Sequence, residues 1–424
     1  MMRRVWPCLL LLPLLWGIAV LAAQPAETTA DAPEARVTEY PAGPNPDEVL
    51  LTWADDPSTS ISIQWRTNTA VTAGSVAYMP RAAFHTFSPA QPTIVQASCE
   101  RLEDQGLTND PVVNWHTVQL HDLKPDTDYV YAVADGTPKG WGEVHSFHTA
   151  PARAEPFCFV YFGDAQNGFS RWGALQQAAA RARPDAAFFL MAGDLVNRGN
   201  DRDNWDDLLI HGSGVYCQKP VVPCVGNHEC IGNGPEMYRR IFDLPLNGPP
   251  GVESERAYTL SYGNALFVVL DSNLAPETEA PWLERQLAEL KAVWKFVMFH
   301  HPLYSSRGDR DNKEVRETWG PIFDKHHVDV VFQGHDHAYL RTYPMKGNRP
   351  VASPAEGTIY LISVSGTKMY VQDPHDYTEV GFTNTATFST IDILPATEMG
   401  AKDRLSYVAY DLDGKIRDQF AIEK

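Results

Sequence analysis

Ala186-Ala187-Phe188-Phe189-Leu190-Met191-Ala192-Gly193-Asp194-Leu195-Val196-Asn197-Arg198-Gly199 is an apolar run of strand length that ends abruptly in Gly193-Asp194. Such a run, closed by glycine, reads as a buried strand of a covered sheet. Its carboxylate falls in the loop past the strand's C-terminal edge, where open α/β sheets bind ligands. A lone Asp there could equally cap the next helix, but the pattern recurs. Phe157-Cys158-Phe159-Val160-Tyr161-Phe162 runs into Gly163-Asp164, and Val221-Val222-Pro223-Cys224-Val225 into Gly226-Asn227-His228-Glu229. Phe296-Val297-Met298-Phe299 ends in His300-His301-Pro302, and Val328 to Gln333 ends in Gly334-His335-Asp336-His337. Five strand ends thus offer oxygen or imidazole donors to one rim, the pattern of a metal site.

The chain has 424 residues, enough for two or three domains with real cores, and a formal net charge of −18. That charge argues against binding nucleic acid or an anionic membrane surface. It leaves open a small phosphorylated substrate, because a local metal cluster overrides the global field. Met1-Met2-Arg3-Arg4, the apolar stretch Val5 to Ala22 and the small Ala22-Ala23 read as a cleaved signal peptide over 1–23. A secreted or periplasmic protein follows, without stable membrane insertion after cleavage. Cys99, Cys158, Cys217, Cys224 and Cys230 would remain. Cys158 reads as a buried small hydrophobe. A disulfide among Cys217, Cys224 and Cys230 could brace the Asn227-His228 loop.

Residues 24–36, rich in Ala, Pro, Thr and acids, read as a flexible leader. Over 37–150 the pattern is all β. Ile61, Ile63 and Trp65 alternate on one face, and Thr127 to Val133 alternates after the Leu123-Lys124-Pro125-Asp126 turn. The segment resembles fibronectin type III modules, a β-sandwich. It shows no cluster of titratable groups, and His85, His116, His121, His145 and His148 read as scattered surface residues. From about 155 to 424, strands alternate with helices predicted over 170–182, 203–209 and 281–294. Tyr262-Gly263-Asn264 marks a hairpin, and a terminal hairpin turns at Asp411-Leu412-Asp413-Gly414. His326-His327 reads as the polar end of a helix before the Val328 strand.

Asp164, Gly193-Asp194, Gly226-Asn227-His228-Glu229, His300-His301-Pro302 and Gly334-His335-Asp336-His337 resemble, in order and spacing, the motif series of calcineurin-like metallophosphoesterases. The preceding β module and His335 to Thr342 point to the purple acid phosphatase-like branch. The resemblance implies a fibronectin III-like sandwich followed by a four-layer αββα catalytic domain holding two metal ions, Fe, Zn or Mn. It implies that Asp194 bridges them, that Asp164 and His337 bind the first, and that Asn227, His300 and His335 bind the second. It gives His228 the transition-state or general-acid role, and Asp336 faces away or orients a ligand. His301 lines the pocket or supports it, and Arg307 or Arg310 clamps phosphate, solvated loop charges being the alternative for both.

Two positions depart from the family pattern. Asn197 stands where purple acid phosphatases have tyrosine, and Gln166 where many metallophosphoesterases have histidine. Either amide could complete the first metal's shell, and without a phenolate the centre is expected to be colourless. The implied activity is hydrolysis of phosphate monoesters by a metal-bridging hydroxide. A phosphodiesterase or nucleotidase on the same core, and a weakened binding or adhesion protein, are the alternatives.

Overall fold

The computed structural model describes residues 35–84, 91–137, 140–398 and 400–424. The predicted signal segment and nearly all of the predicted leader lie outside them. Arg36, placed in the leader by sequence, belongs to the folded unit that runs from Arg36 to Lys424. Its guanidinium reaches Asp104, Asp201 and Asp203, and its amide bonds to the Gly106 carbonyl.

Two four-stranded antiparallel sheets form the first domain. One orders Asp47–Thr52, Ile61–Asn68, Val112–Leu120 and Ser98–Glu103. The other orders Thr93–Gln96, Ser75–Pro80, Asp128–Ala134 and His145–His148. Ile61, Ile63 and Trp65 fill the sandwich as the alternation required. Two expectations fail here. His116 is fully buried, stacked on Trp65 at 5.2 Å and bonded to Thr67 Oγ1, because its strand lies mid-sheet where both faces are covered. His85 lies outside the described residues. The module also does carry a titratable cluster. Arg66, 1% exposed, meets Glu48 at 2.9 Å and Asp206 of the second domain at 2.7 Å, and Arg202 bonds to the same Asp206. Those charges are far apart in sequence, so no local pattern announces them.

The second domain is built on two sheets packed face to face. The first orders Val221–Pro223, Phe189–Met191, Phe157–Phe162, Thr387–Leu394, Arg404–Asp411 and Ile416–Glu423, its first three strands parallel. The second orders Tyr258–Tyr262, Ala265–Val269, Trp294–Met298, Val330–Gln333, Ile359–Ile362, Tyr339–Thr342 and Thr378–Phe382. Phe159 packs between them against Phe267, Phe296 and Phe332 with ring centroids 5.2–5.9 Å apart. The apolar runs have no alternation because both faces of these strands are covered.

Helices α1 (Phe169–Ala182), α2 (Arg202–Tyr216), α3 (Glu236–Ile241), α4 (Pro276–Glu289) and α5 (Lys313–His326) complete the domain. Trp172 of α1 meets Phe162 of the first sheet. Trp282, Leu283 and Leu287 of α4 and Trp319 and Phe323 of α5 pack with Val268, Val297 and Val331 of the second. The layers are therefore helix, sheet, sheet, helix. Helix α4 starts five residues before the sequence reading and stops before Trp294, which opens a strand. Pro276, not Pro281, occupies the first turn, where a missing N–H costs nothing. Helix α2 runs past Leu209 to Tyr216 and docks on the first domain, where Thr38 Oγ1 donates to Asp206.

All five cysteines after position 24 are free thiols, so the disulfide that could have joined two of Cys217, Cys224 and Cys230 is not formed. Cys158 is buried as expected. Among the described residues no helix is long and apolar enough to cross a membrane.

Candidate metal centre and its cleft

The strand-end loops converge on one rim at the C-terminal edges of both sheets. Asp164 follows the Phe157 strand, Asp194 the Phe189 strand, Asn227 the Val221 strand, His300 the Trp294 strand, and His335 and His337 the Val330 strand. The loops approach closely. Gly193 has φ +80°, and a Cβ there would sit 2.8 Å from Gly226 N and His300 Nδ1, so only glycine fits. Asp194, His335 and His337 themselves have left-handed backbones, φ 50°, 73° and 46°. Such strain concentrates at functional sites.

Two donor groups form, each with its ligand atoms within 4.8 Å of one another: Asp164, Asp194 and His337, and Asp194, His300 and His335. Asp194 belongs to both. Asn227 joins the second, its Oδ1 2.9 Å from His335 Nδ1 and 3.2 Å from His300 Nε2. Gln166 joins the first, its amide 2.9 Å from Asp194 Oδ2 and 3.3 Å from His337 Nε2.

Main-chain carbonyls fix the imidazoles. His300 Nδ1 donates to Ala192 O at 2.8 Å, and His337 Nδ1 to Lys368 O at 3.0 Å. A carbonyl can only accept, so the proton of each neutral ring lies on Nδ1 and the Nε2 lone pair turns inward. His337 Nε2 then faces Asp164 Oδ2 at 3.2 Å, and that buried oxygen has no hydrogen-bond donor. A lone pair set against a carboxylate oxygen needs a proton or a metal cation between them, and with Asp194 and a second imidazole group alongside, the donor set fits a metal. The charges concur. Burial and Asp194 lift Asp164 to about 8, and burial drives His337 down to about 4. At His300 burial opposes charge, yet Asp194 and Asp164 hold it up at about 10. Asp194, despite burial, is brought to about 2 by His300 and His228.

Around this centre the sequence expectations divide. His228 sits at the cleft, its Nδ1 donating to Asn197 O at 2.5 Å and its Nε2 3.9 Å from Asp194 Oδ2. Asn197 therefore acts through its main chain, and its side chain makes no hydrogen bond to the donor groups among the described residues. Its contact with the site is the carbonyl that accepts His228 Nδ1, which corrects its reading as a ligand. His301 does not line the cleft. It lies behind His335, ring centroids 4.4 Å apart, bonded to Ser272 Oγ, and burial and His300 lower it to about 3. Arg307 is also off the cleft wall, held bidentately by Asp309. Arg310 does line it, with Nε 3.0 Å from buried Asp336 and Nη2 donating to His335 O. Asp336 accordingly anchors Arg310 and the Ser305-Ser306 turn. His326 pairs with Glu284, away from the site.

Three residues escaped the sequence reading. Buried Glu229 accepts the amides of Asp194, Leu195, Val196 and Gly226 at 2.7–3.2 Å, tying two rim loops together. Lys368 and Tyr370 line the cleft from the loop after the Ile359 strand. That loop obeys the same strand-end rule, but Ser363 to Thr367 carries no ligand type to draw attention. The cleft encloses about 480 Å³, of a size for a small substrate.

Such a centre on an αββα core defines a metallophosphoesterase. Residues 158–339 match the family described as calcineurin-like phosphoesterase, and residues 46–149 match the purple acid phosphatase N-terminal domain. The chain thus carries a calcineurin-like phosphoesterase domain behind a purple acid phosphatase N-terminal domain and is a phosphoric ester hydrolase of a metal-dependent family. It is similar to an uncharacterized protein of Mycobacterium tuberculosis, 27% identical over 375 residues covering 78% of this chain and 68% of that one. It is likewise similar to probable purple acid phosphatase 20 of Arabidopsis thaliana, 27% identical over 314 residues covering 70% and 66%. It shares its fold with the purple acid phosphatase PPD1 of yellow lupin, at 17% identity and a TM-score of 0.73, covering 89% of this chain and 74% of that one.

Proposed function

We propose that this chain is a binuclear-metal phosphatase acting on phosphate monoesters and exported by its N-terminal segment. The observation that carries the reading is Asp194, shared by two donor groups. Asp164, His337 and Gln166 would hold one ion, and Asn227, His300 and His335 the other, Asp194 serving both. The ions would supply Lewis acidity and lower the pKa of a bound water towards neutrality. The protein's own part is orientation and proton supply. Ala192 O and Lys368 O hold His300 and His337 with Nε2 inward. Asn227 adds an oxygen without adding charge.

His228 is fixed in the same way by Asn197 O, leaving Nε2 to face the cleft. Protonated, that nitrogen donates to a phosphoryl or leaving-group oxygen and can hand over its proton as the ester bond breaks. Arg310, braced by Asp336, turns its guanidinium to the same cleft. With Asn197 standing where purple acid phosphatases have tyrosine, no phenolate charge-transfer colour is expected. The intact donor set speaks against a scaffold without turnover.

The test is metal analysis of the purified chain, with turnover of phenyl phosphate beside bis(phenyl) phosphate. Two ions per chain and monoester preference support the reading. Diester preference transfers the site to phosphodiester chemistry. One ion, or a strong visible charge-transfer band, overturns the centre as described.

A further inference from the structure

The charged groups of the cleft pair off with one exception. Asp309 is held by Arg307, Asp311 by Arg316, and Arg310 by Asp336. Among the described residues lining the cleft, Lys368 alone is a cation without a carboxylate in ion-pair range. Its ammonium lies 5.5 Å from the centroid of Tyr370, whose ring is 4.7 Å from that of His337. One tyrosine ring thus separates Lys368 from the first donor group. Arg310 rests on the same ring at 5.1 Å.

The loop bearing Lys368 is held on both sides. Thr367 bonds to Asn167 O, Tyr370 N to His337 O, and Asp373 N to Ser306 O. Lys368 O also accepts His337 Nδ1, so the residue's main chain is fixed to the centre. The fixed main chain sets where the side chain leaves the loop, and its ammonium lies beside the Tyr370 ring. The chain as a whole is strongly acidic, with net charge −18, and repels anions. An uncompensated cation beside the cleft therefore selects what enters it.

We propose that Lys368 receives a second anionic group of the substrate, so that the preferred substrates are small phosphate monoesters bearing another phosphate a few bonds from the scissile one. The proposal rests on the phosphatase reading above. The scissile phosphoryl occupies the donor-group end beside His228, and the second phosphate spans Tyr370 to the ammonium. A monoester with an uncharged tail forgoes that ion pair. The reaction is unchanged: water is consumed, one P–O ester bond is cleaved, and inorganic phosphate and the remaining alcohol leave.

The experiment compares propane-1,3-bisphosphonate with propylphosphonate, non-hydrolysable probes, by calorimetric binding to the metal-loaded full chain. The ratio of their affinities is the readout. The wild type is expected to bind the bisphosphonate on the order of 10-fold tighter, about 1.4 kcal/mol. Lys368→Ala should bring the ratio near one, Lys368→Arg should keep it, and Lys368→Glu should invert it. A wild-type ratio near one overturns the proposal, as does a Lys368→Ala variant that weakens both probes equally. Phenyl phosphate turnover by the wild type separates the two failures. Turnover without bisphosphonate preference sinks only the Lys368 assignment, whereas no turnover sinks the phosphatase reading beneath it.

Discussion

Replacing Glu229 by Gln isolates the geometry of the centre from its ligands. The Glu229 carboxylate touches no substrate and faces main chain only. One oxygen accepts Asp194 N and Gly226 N at 2.8 and 2.7 Å, the other Leu195 N and Val196 N at 2.8 and 3.2 Å. An amide of the same shape must turn its NH₂ towards one of these pairs, leaving two buried N–H groups without acceptors. Each such group costs about 1–3 kcal/mol. Burial and Asp194 both disfavour the Glu229 charge, so removing it returns part of that cost. A net loss of about 3 kcal/mol follows, a fall in Tm of roughly 6–12 °C for a domain of this size. Because Asp194 and the Asn227-His228 turn move apart, metal affinity should fall about 10–100-fold, as for other groups that orient ligands. Thermal melting with and without metal, with metal titration alongside, reads both effects. A variant melting within about 2 °C of the wild type with unaltered metal affinity would refute the claim that Glu229 ties the two loops.

Asp194→Ala, made beside Asn227→Ala, should abolish turnover, and metal analysis should show Asp194→Ala losing more metal than Asn227→Ala, since only Asp194 serves both groups. His228→Ala should lower kcat by about 10²–10³ with alkyl phosphates and less with p-nitrophenyl phosphate, whose leaving group needs no proton; equal losses on both would remove the general-acid role. Arg66→Met strands buried Glu48 without a cation and leaves Asp206 to Arg202 alone, and should cost about 3–5 kcal/mol in thermal or urea unfolding. His116 is held at about 4 by burial, below its ordinary 6.5, so the fold favours its neutral form. Its contribution is complete above pH 6.5 and is lost as pH falls towards 4, up to roughly 3 kcal/mol. His116→Gln should flatten unfolding free energy across that window, and an identical slope in the variant would contradict the assignment.

Most strands of the second domain and the identity of the donors are legible in the chain itself. Uninterrupted apolar runs such as Phe157 to Phe162 specify strands covered on both faces, and a ligand-type residue after each run can only lie at one rim. Asp164, Asp194, Asn227, His300, His335 and His337 were legible for that reason. The strand Thr387–Leu394, inserted beside Phe157–Phe162, was not, because its mixed sequence gives no apolar run and its neighbour lies more than two hundred residues away.

Which polar atoms meet depends on the folded chain. Gln166 and Asn197 read alike in sequence, yet backbone torsion after Asp194 turns Asn197 to offer a carbonyl to His228 while Gln166 enters the first group. Two adjacent histidines likewise part company, His300 facing the centre and His301 supporting His335 from behind. Glu229 and Lys368 acquire meaning only through main-chain partners and through charges already paired elsewhere. Periodicity reports burial, which is local to a strand. Hydrogen-bond direction and charge balance depend on groups that only the folded chain brings together.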